Sequence, residues 1–131
     1  FTLPNFVLFK SNHFNDDSNW LDFNSVNIKK LIDSDKVVFV DITADWCATC
    51  QYNKINVLNS KLIQDNFSKY GVIKIKGDWS KPNQNILEFL KKHNKFGIPF
   101  NIIYSKKYTQ GIILSEIISS KEVIEALEES H

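Results

Sequence analysis

A chain of 131 residues is long enough to bury a core and short enough to form one domain. With 43% hydrophobic and 24% charged residues it has an ordinary globular composition, and a net charge of +1 sets up no field that would draw in nucleic acid or an anionic membrane. All 16 basic residues are lysines; without the bidentate fork of arginine, no nucleic-acid partner is expected.

No run approaches the roughly 18 apolar residues of a membrane span, and the first residues lack the basic-then-apolar pattern of a signal peptide. The chain begins at Phe1 and contains no methionine, which predicts a processed or excised piece of something longer. Two cysteines fit either a reducing or an oxidising compartment.

Residues 1–19 carry apolar side chains without a clean period, Pro4, and a polar run from Ser11 to Asn19. They read as a linker or N-terminal arm ahead of a domain over residues 20–131. Trp20 to Phe23 alternates and suits a short edge strand. Asn24 or Ser25 then caps a helix with Val26, Ile28, Leu31 and Ile32 inward, ending near Asp33 to Asp35. The β-branched run Val37 to Thr43 is the central strand, and Cys47-Ala48-Thr49-Cys50 follows it directly. Helical spacing continues to about Asn59 with Ile55 and Leu58 inward, and a second helix over Ser60 to Tyr70 buries Leu62, Ile63 and Phe67.

Val72 to Lys76 alternates as the next strand, Gly77 to Pro82 breaks it, and Asn83 to Asn94 is helical through Ile86, Phe89 and Leu90. Gly97 to Tyr104 is a strand opening on Pro99, tolerated there because a strand start can spare one ladder donor. The Ile98–Pro99 bond is predicted to be cis, with an ordinary trans strand start as the alternative. Gly111 to Ser115 pairs back as a hairpin across a polar turn. Ser119-Ser120-Lys121-Glu122 has capping-box spacing and opens a last helix with Val123, Ile124 and Leu127 inward. This order predicts an α/β architecture, a mixed central sheet flanked by helices, and matches the thioredoxin fold with an N-terminal extension.

A cysteine at the first turn of a helix meets unpaired backbone N–H groups and the positive end of the dipole, so Cys47 is expected as the thiolate nucleophile. Cys50, three residues on, lies on the same side of that turn and is expected to resolve a mixed disulfide. Zinc, the other common use of Cys-x-x-Cys, needs about four ligands, and His13, His93 and His131 are scattered. A pair of buried structural cysteines is the remaining alternative. No metal and no cofactor are expected.

Three stretches carry a family resemblance: Val40-Asp41-Ile42-Thr43-Ala44-Asp45-Trp46-Cys47-Ala48-Thr49-Cys50, Gly77-Asp78-Trp79-Ser80-Lys81-Pro82, and Phe96-Gly97-Ile98-Pro99-Phe100-Asn101-Ile102-Ile103-Tyr104. From Trp20 to about Glu129 the chain resembles the C-terminal periplasmic thioredoxin-like domain of the DsbD family of transmembrane thiol:disulfide interchange proteins. The resemblance implies a redox-active Cys47–Cys50 disulfide in a protein-disulfide reductase that relays electrons. It implies a membrane-embedded thiol donor, a periplasmic thioredoxin-like or immunoglobulin-like acceptor, and a periplasmic domain of an inner-membrane protein, monomeric in isolation.

By the same resemblance Pro99 faces the sulfurs, with Ile98 beside it, and Asp41 is the acid beneath the disulfide. A carboxylate there raises the thiol pKa by like-charge repulsion and accepts the Cys50 proton, while burial raises its own pKa. Asp45, Trp46 and Trp79 flank the site as docking or tuning residues. Lys54 stands where members of the family often carry a glutamate, seven residues after the first cysteine, and an ammonium there favours the Cys47 thiolate unless it points into solvent. Two rival readings are a free-standing periplasmic thioredoxin-like reductase, for example in cytochrome c maturation, and a thioredoxin-fold binding module whose cysteines are incidental.

Overall fold

The computed structural model describes residues 19–131; the expected arm lies, except for Asn19, outside the described residues. The sheet is built around β2 (Val38–Thr43), whose side chains are buried on both faces apart from the half-buried Asp41. Such a strand needs cover on both sides, and its residues sort by alternation. Phe39 points to one face with Ile103, Val57, Leu58, Ile63, Phe67, Val123 and Leu127. Val38, Val40 and Ile42 point to the other with Ile75, Ile86, Leu90 and Ile102. Each fully buried side chain of this size contributes about 1.5–3 kcal/mol, so the two clusters dominate stability.

Two partners flank β2. On one side β3 (Ile73–Asp78) runs parallel to it, with β1 (Leu21–Asp22) parallel beyond at the edge. On the other, β4 (Phe100–Tyr104) is antiparallel and carries β5 (Ile112–Ile113) at the opposite edge. The spatial order β1-β3-β2-β4-β5 is the mixed five-stranded sheet expected from the sequence. Helices α1 (Ile28–Asp33), α2 (Ala48–Asn53), α3 (Lys61–Lys69), α4 (Gln84–Lys92) and α5 (Ser120–Ser130) cover it.

Several local expectations are corrected. The cap of α1 is Asn27, whose side chain accepts the Lys30 N–H; Asn24 and Ser25 belong to a preceding 3-10 turn capped by Asp22. After α2 the chain forms a π-helical turn over Lys54–Leu58, closed by the Asn59 N–H donating to the Lys54 carbonyl at 2.8 Å. That turn changes the helical phase, so Val57 joins Leu58 inside and Ile55, expected inside, is 66% exposed. Leu62 is likewise exposed, because Ile63 and Phe67 already fill the inner stripe of α3.

Gly77 does not end β3. It pairs with Ile42, and a Cβ there would sit 2.5 Å from Ile42 Cδ1, so glycine lets the strands continue under a large neighbour. Ser119 caps α5 by accepting the Glu122 N–H. The Glu122 carboxylate, instead of completing a capping box, accepts from the Ser115 N–H and hydroxyl at 2.8 and 2.9 Å.

Candidate active site

Beyond Thr43 the chain leaves the sheet through Ala44, Asp45 and Trp46, and Cys47 becomes the N-cap of α2. The Ala44 carbonyl accepts the Cys47 N–H at 3.2 Å and the Gln51 side-chain N–H at 3.1 Å, fixing the turn from two sides. Cys47 and Cys50 are joined in a disulfide with Cα atoms 5.2 Å apart. The Cys50 N–H donates to Cys47 Sγ at 3.2 Å, a contact that favours negative charge on that sulfur once the disulfide opens. Cys47 retains 8% of its surface and Cys50 3%, so an incoming group meets Cys47 first.

Ile98 packs on the pair together with Ala44. The Ile98–Pro99 bond is cis and Pro99 is buried. Trp46 is 64% exposed beside the disulfide. Asp45, also exposed, donates its N–H to Ser80 Oγ at 2.8 Å, and Ser80 donates its hydroxyl and N–H to Asp78 Oδ1 at 2.6 and 2.9 Å. The Ser80 hydroxyl hydrogen bond, more than any other contact, holds the Asp78 carboxyl below the usual carboxylate range; partial burial opposes this, and the Ser80 N–H, Lys76 and Lys54 reinforce it. Trp79 donates its N–H to the Thr43 carbonyl at 2.7 Å and packs its ring against the α4-side core.

Asp41 lines a small cavity of about 40 Å³ between α2 and the sheet, with Trp20, Gln51, Lys54, Lys76 and Asp78 around it. Lys54 therefore shares the Asp41 cavity and is half-buried. The register sets Lys76 across from Asp41 on β3 and Asn101 across from it on β4.

Gln51, Asn53, Lys76, Ser80 and Asn101 were not singled out in the sequence. Asn53 is 1% exposed; its Nδ2 donates to the Glu116 carbonyl at 2.7 Å and its Oδ1 accepts the Ile118 N–H at 3.2 Å. These two bonds tie the loop before α5 to the redox helix and leave Ile117 between them 64% exposed. A polar residue three positions after Cys50, on the helix's inner face, is the sequence signal for this staple; the Asn in the apolar run Phe100 to Tyr104 is the signal for Asn101. Among the described residues no three His, Cys, Asp or Glu side chains are grouped to hold a metal, and no helix is long and apolar enough to cross a membrane.

A disulfide of the Cys-x-x-Cys type, at the junction of a central strand and a helix and beside a cis-proline, defines a site suited to thiol:disulfide exchange on a thioredoxin-like fold. The thioredoxin-like family model matches residues 19–106, more than half of the chain, and the chain belongs to that family. No curated protein matches the sequence closely enough to count as a relative. Among solved structures, the oxidised C-terminal domain of Neisseria meningitidis DsbD has a TM-score of 0.65 at 20% identity, covering 86% of this chain and 98% of that one. Its reduced form gives 0.61 at 20%, with 79% and 90% covered. A thioredoxin from Thermus thermophilus gives 0.62 at 14%, with 85% of each chain covered. Likeness at these identities is likeness of fold.

Proposed function

We propose that this domain is a protein-disulfide reductase of the DsbD type, taking electrons from a membrane-embedded thiol donor and passing them to disulfide partners in the periplasm. The observation that carries the exchange chemistry is the asymmetry of the Cys47–Cys50 pair: the more exposed cysteine is also the one whose sulfur accepts the Cys50 N–H, while the relay rests on the resemblance of the three motifs. In the reductive step the Cys47 thiolate attacks a partner disulfide, forming the mixed disulfide and expelling one partner thiolate. Cys50, giving its proton to Asp41, then attacks Cys47 Sγ, closing the Cys47–Cys50 disulfide and releasing the second partner thiolate. Two electrons pass to the partner and no cofactor takes part. Trp46 and Ile98 form apolar contact surface around the sulfur, Pro99 holds the segment opposite it, and Asp45 and Trp79 fix the turn that carries it.

Replacing the resolving thiol tests this directly. Cys50→Ser should accumulate a mixed disulfide with a model disulfide protein through Cys47, read by non-reducing gel and mass spectrometry, while Cys47→Ser should form none. Equal trapping by both variants contradicts the assignment. Trapping in cells followed by identification of the bound protein tests the relay: a membrane thiol protein on one side and a periplasmic acceptor on the other is the expected pair.

A further inference from the structure

Asn101 is 1% exposed, and neither its Oδ1 nor its Nδ2 has a hydrogen-bond partner among the described residues. Each such buried orphan has a cost that an apolar side chain of the same shape would not incur. The register places Asn101 directly opposite Asp41 on the same sheet face, where facing Cβ atoms lie about 4.5–5.5 Å apart. A carboxamide and a carboxyl at that spacing can meet after a rotamer change. Asn101 also stands two residues past Pro99 and three past Ile98, which packs on the disulfide, so the strand start that carries it touches the redox centre.

A carboxamide suits this place for a chemical reason. It donates from Nδ2 to an ionised Asp41 and accepts at Oδ1 from a protonated one, so it serves the acid in both protonation states. Reduction creates the need: the Cys47–Cys50 S–S bond breaks, and two electrons and two protons from the donor dithiol end on the two sulfurs, while the donor becomes the disulfide. In the exchange step proposed above, a proton is then shared between Cys50 and Asp41, which the oxidised form does not require.

We propose that Asn101 is a positioning residue for the dithiol state: its carboxamide pairs with Asp41 when the cysteines are reduced and stands unpartnered when they are oxidised. The proposal deepens the reductase reading and rests on Cys47–Cys50 being its working couple. Asn101 thereby stabilises the reduced form selectively and draws the couple toward the oxidising side.

The test is Asn101→Leu, which has the same number of side-chain heavy atoms, equilibrated against glutathione redox buffers. The expected result is a shift of about tenfold in the equilibrium constant toward the disulfide, equal to about 30 mV more reducing. Urea unfolding should show the oxidised variant at least as stable as wild type and the reduced variant less so. In an Asp41→Ala background the Asn101→Leu shift should fall below about twofold, because the partner is gone. If the leucine side chain crowds its neighbours and prevents folding, Asn101→Ala, which cannot overpack, reads the same shift. An equal change in the stability of both forms, with the equilibrium constant moved less than about twofold, overturns the proposal and leaves Asn101 merely structural. A Cys50→Ser variant that traps no partner would overturn the reductase reading, but not the oxidised-minus-reduced difference measured here.

Discussion

The backbone N–H of Asp45 donates to Ser80 Oγ at 2.8 Å, so the turn leading into the cysteines is held by a residue 35 positions later, just beyond β3. The same hydroxyl donates to Asp78, which makes Ser80 a bridge between a depressed carboxyl and the redox turn. Ser80→Ala should move the Asp78 titration up toward the ordinary carboxylate range, read by NMR of the side-chain carboxyl. Because Asp78 is held below its ordinary value, its contribution is present above about pH 3.9 and is lost as the pH falls through the folded value. The variant should show a weaker acid-side dependence, since the Ser80 N–H, Lys76 and Lys54 still act on Asp78, and should cost no more than about 1 kcal/mol at neutral pH. An unchanged Asp78 titration would contradict the bridge.

Asn53 predicts a larger loss of stability. Asn53→Leu leaves the Ile118 N–H and Glu116 carbonyl without their side-chain partners at a 1% exposed position. Urea unfolding of the oxidised form should show a loss of about 2 kcal/mol or more, and the loop carrying Ile117 should gain hydrogen-exchange rate. A loss under about 0.5 kcal/mol would mean that the loop is held by other contacts.

Lys54 lines the cavity with Asp41 and acts on Asp78, so its charge is felt at the site. Lys54→Glu should raise the Cys47 thiol pKa, more in low salt than in high salt, read by thiolate absorbance. Indistinguishable titrations for the two proteins would remove Lys54 from the tuning residues.

On the α4 face of β4, His93 contacts Phe89 and Phe100 and its Nε2 is 2.8 Å from the Tyr104 hydroxyl. Burial, with Lys92 adding repulsion, holds the His93 pKa below its usual value. The unfolded chain therefore binds a proton near pH 6.5 before the folded chain does. Stability should be full above that pH and fall as the pH drops from about 6.5 to the lower folded value, levelling off beneath it. His93→Gln should flatten this part of the urea-midpoint profile; an identical slope in the variant would assign it to other groups.

Much of this was legible in the sequence because it rests on short-range pattern. The β-branched run into Cys-x-x-Cys, the period of Ile86 and Leu90, and Ser119 before the last helix each state an element and its end locally. The π-helical turn at Lys54–Leu58 was not legible, since adding one residue to a helical turn leaves no mark in composition and only shifts which side chains face inward. Gly77 read as a breaker because its role depends on Ile42 in the neighbouring strand. Asn101 reads in sequence only as one polar residue in the apolar run Phe100 to Tyr104, and its meaning needs the register that sets it across from Asp41. Partners distant in sequence decide those positions.

The central claim is that Cys47–Cys50 works as a reductant in a relay, and the reduction potential of that couple measures it most directly. Equilibration with defined thiol/disulfide buffers and alkylation readout should place it near the reducing end, around the −270 mV typical of thioredoxin. A value near −120 mV, about that of a strong oxidant, would contradict the account and make the domain a disulfide donor.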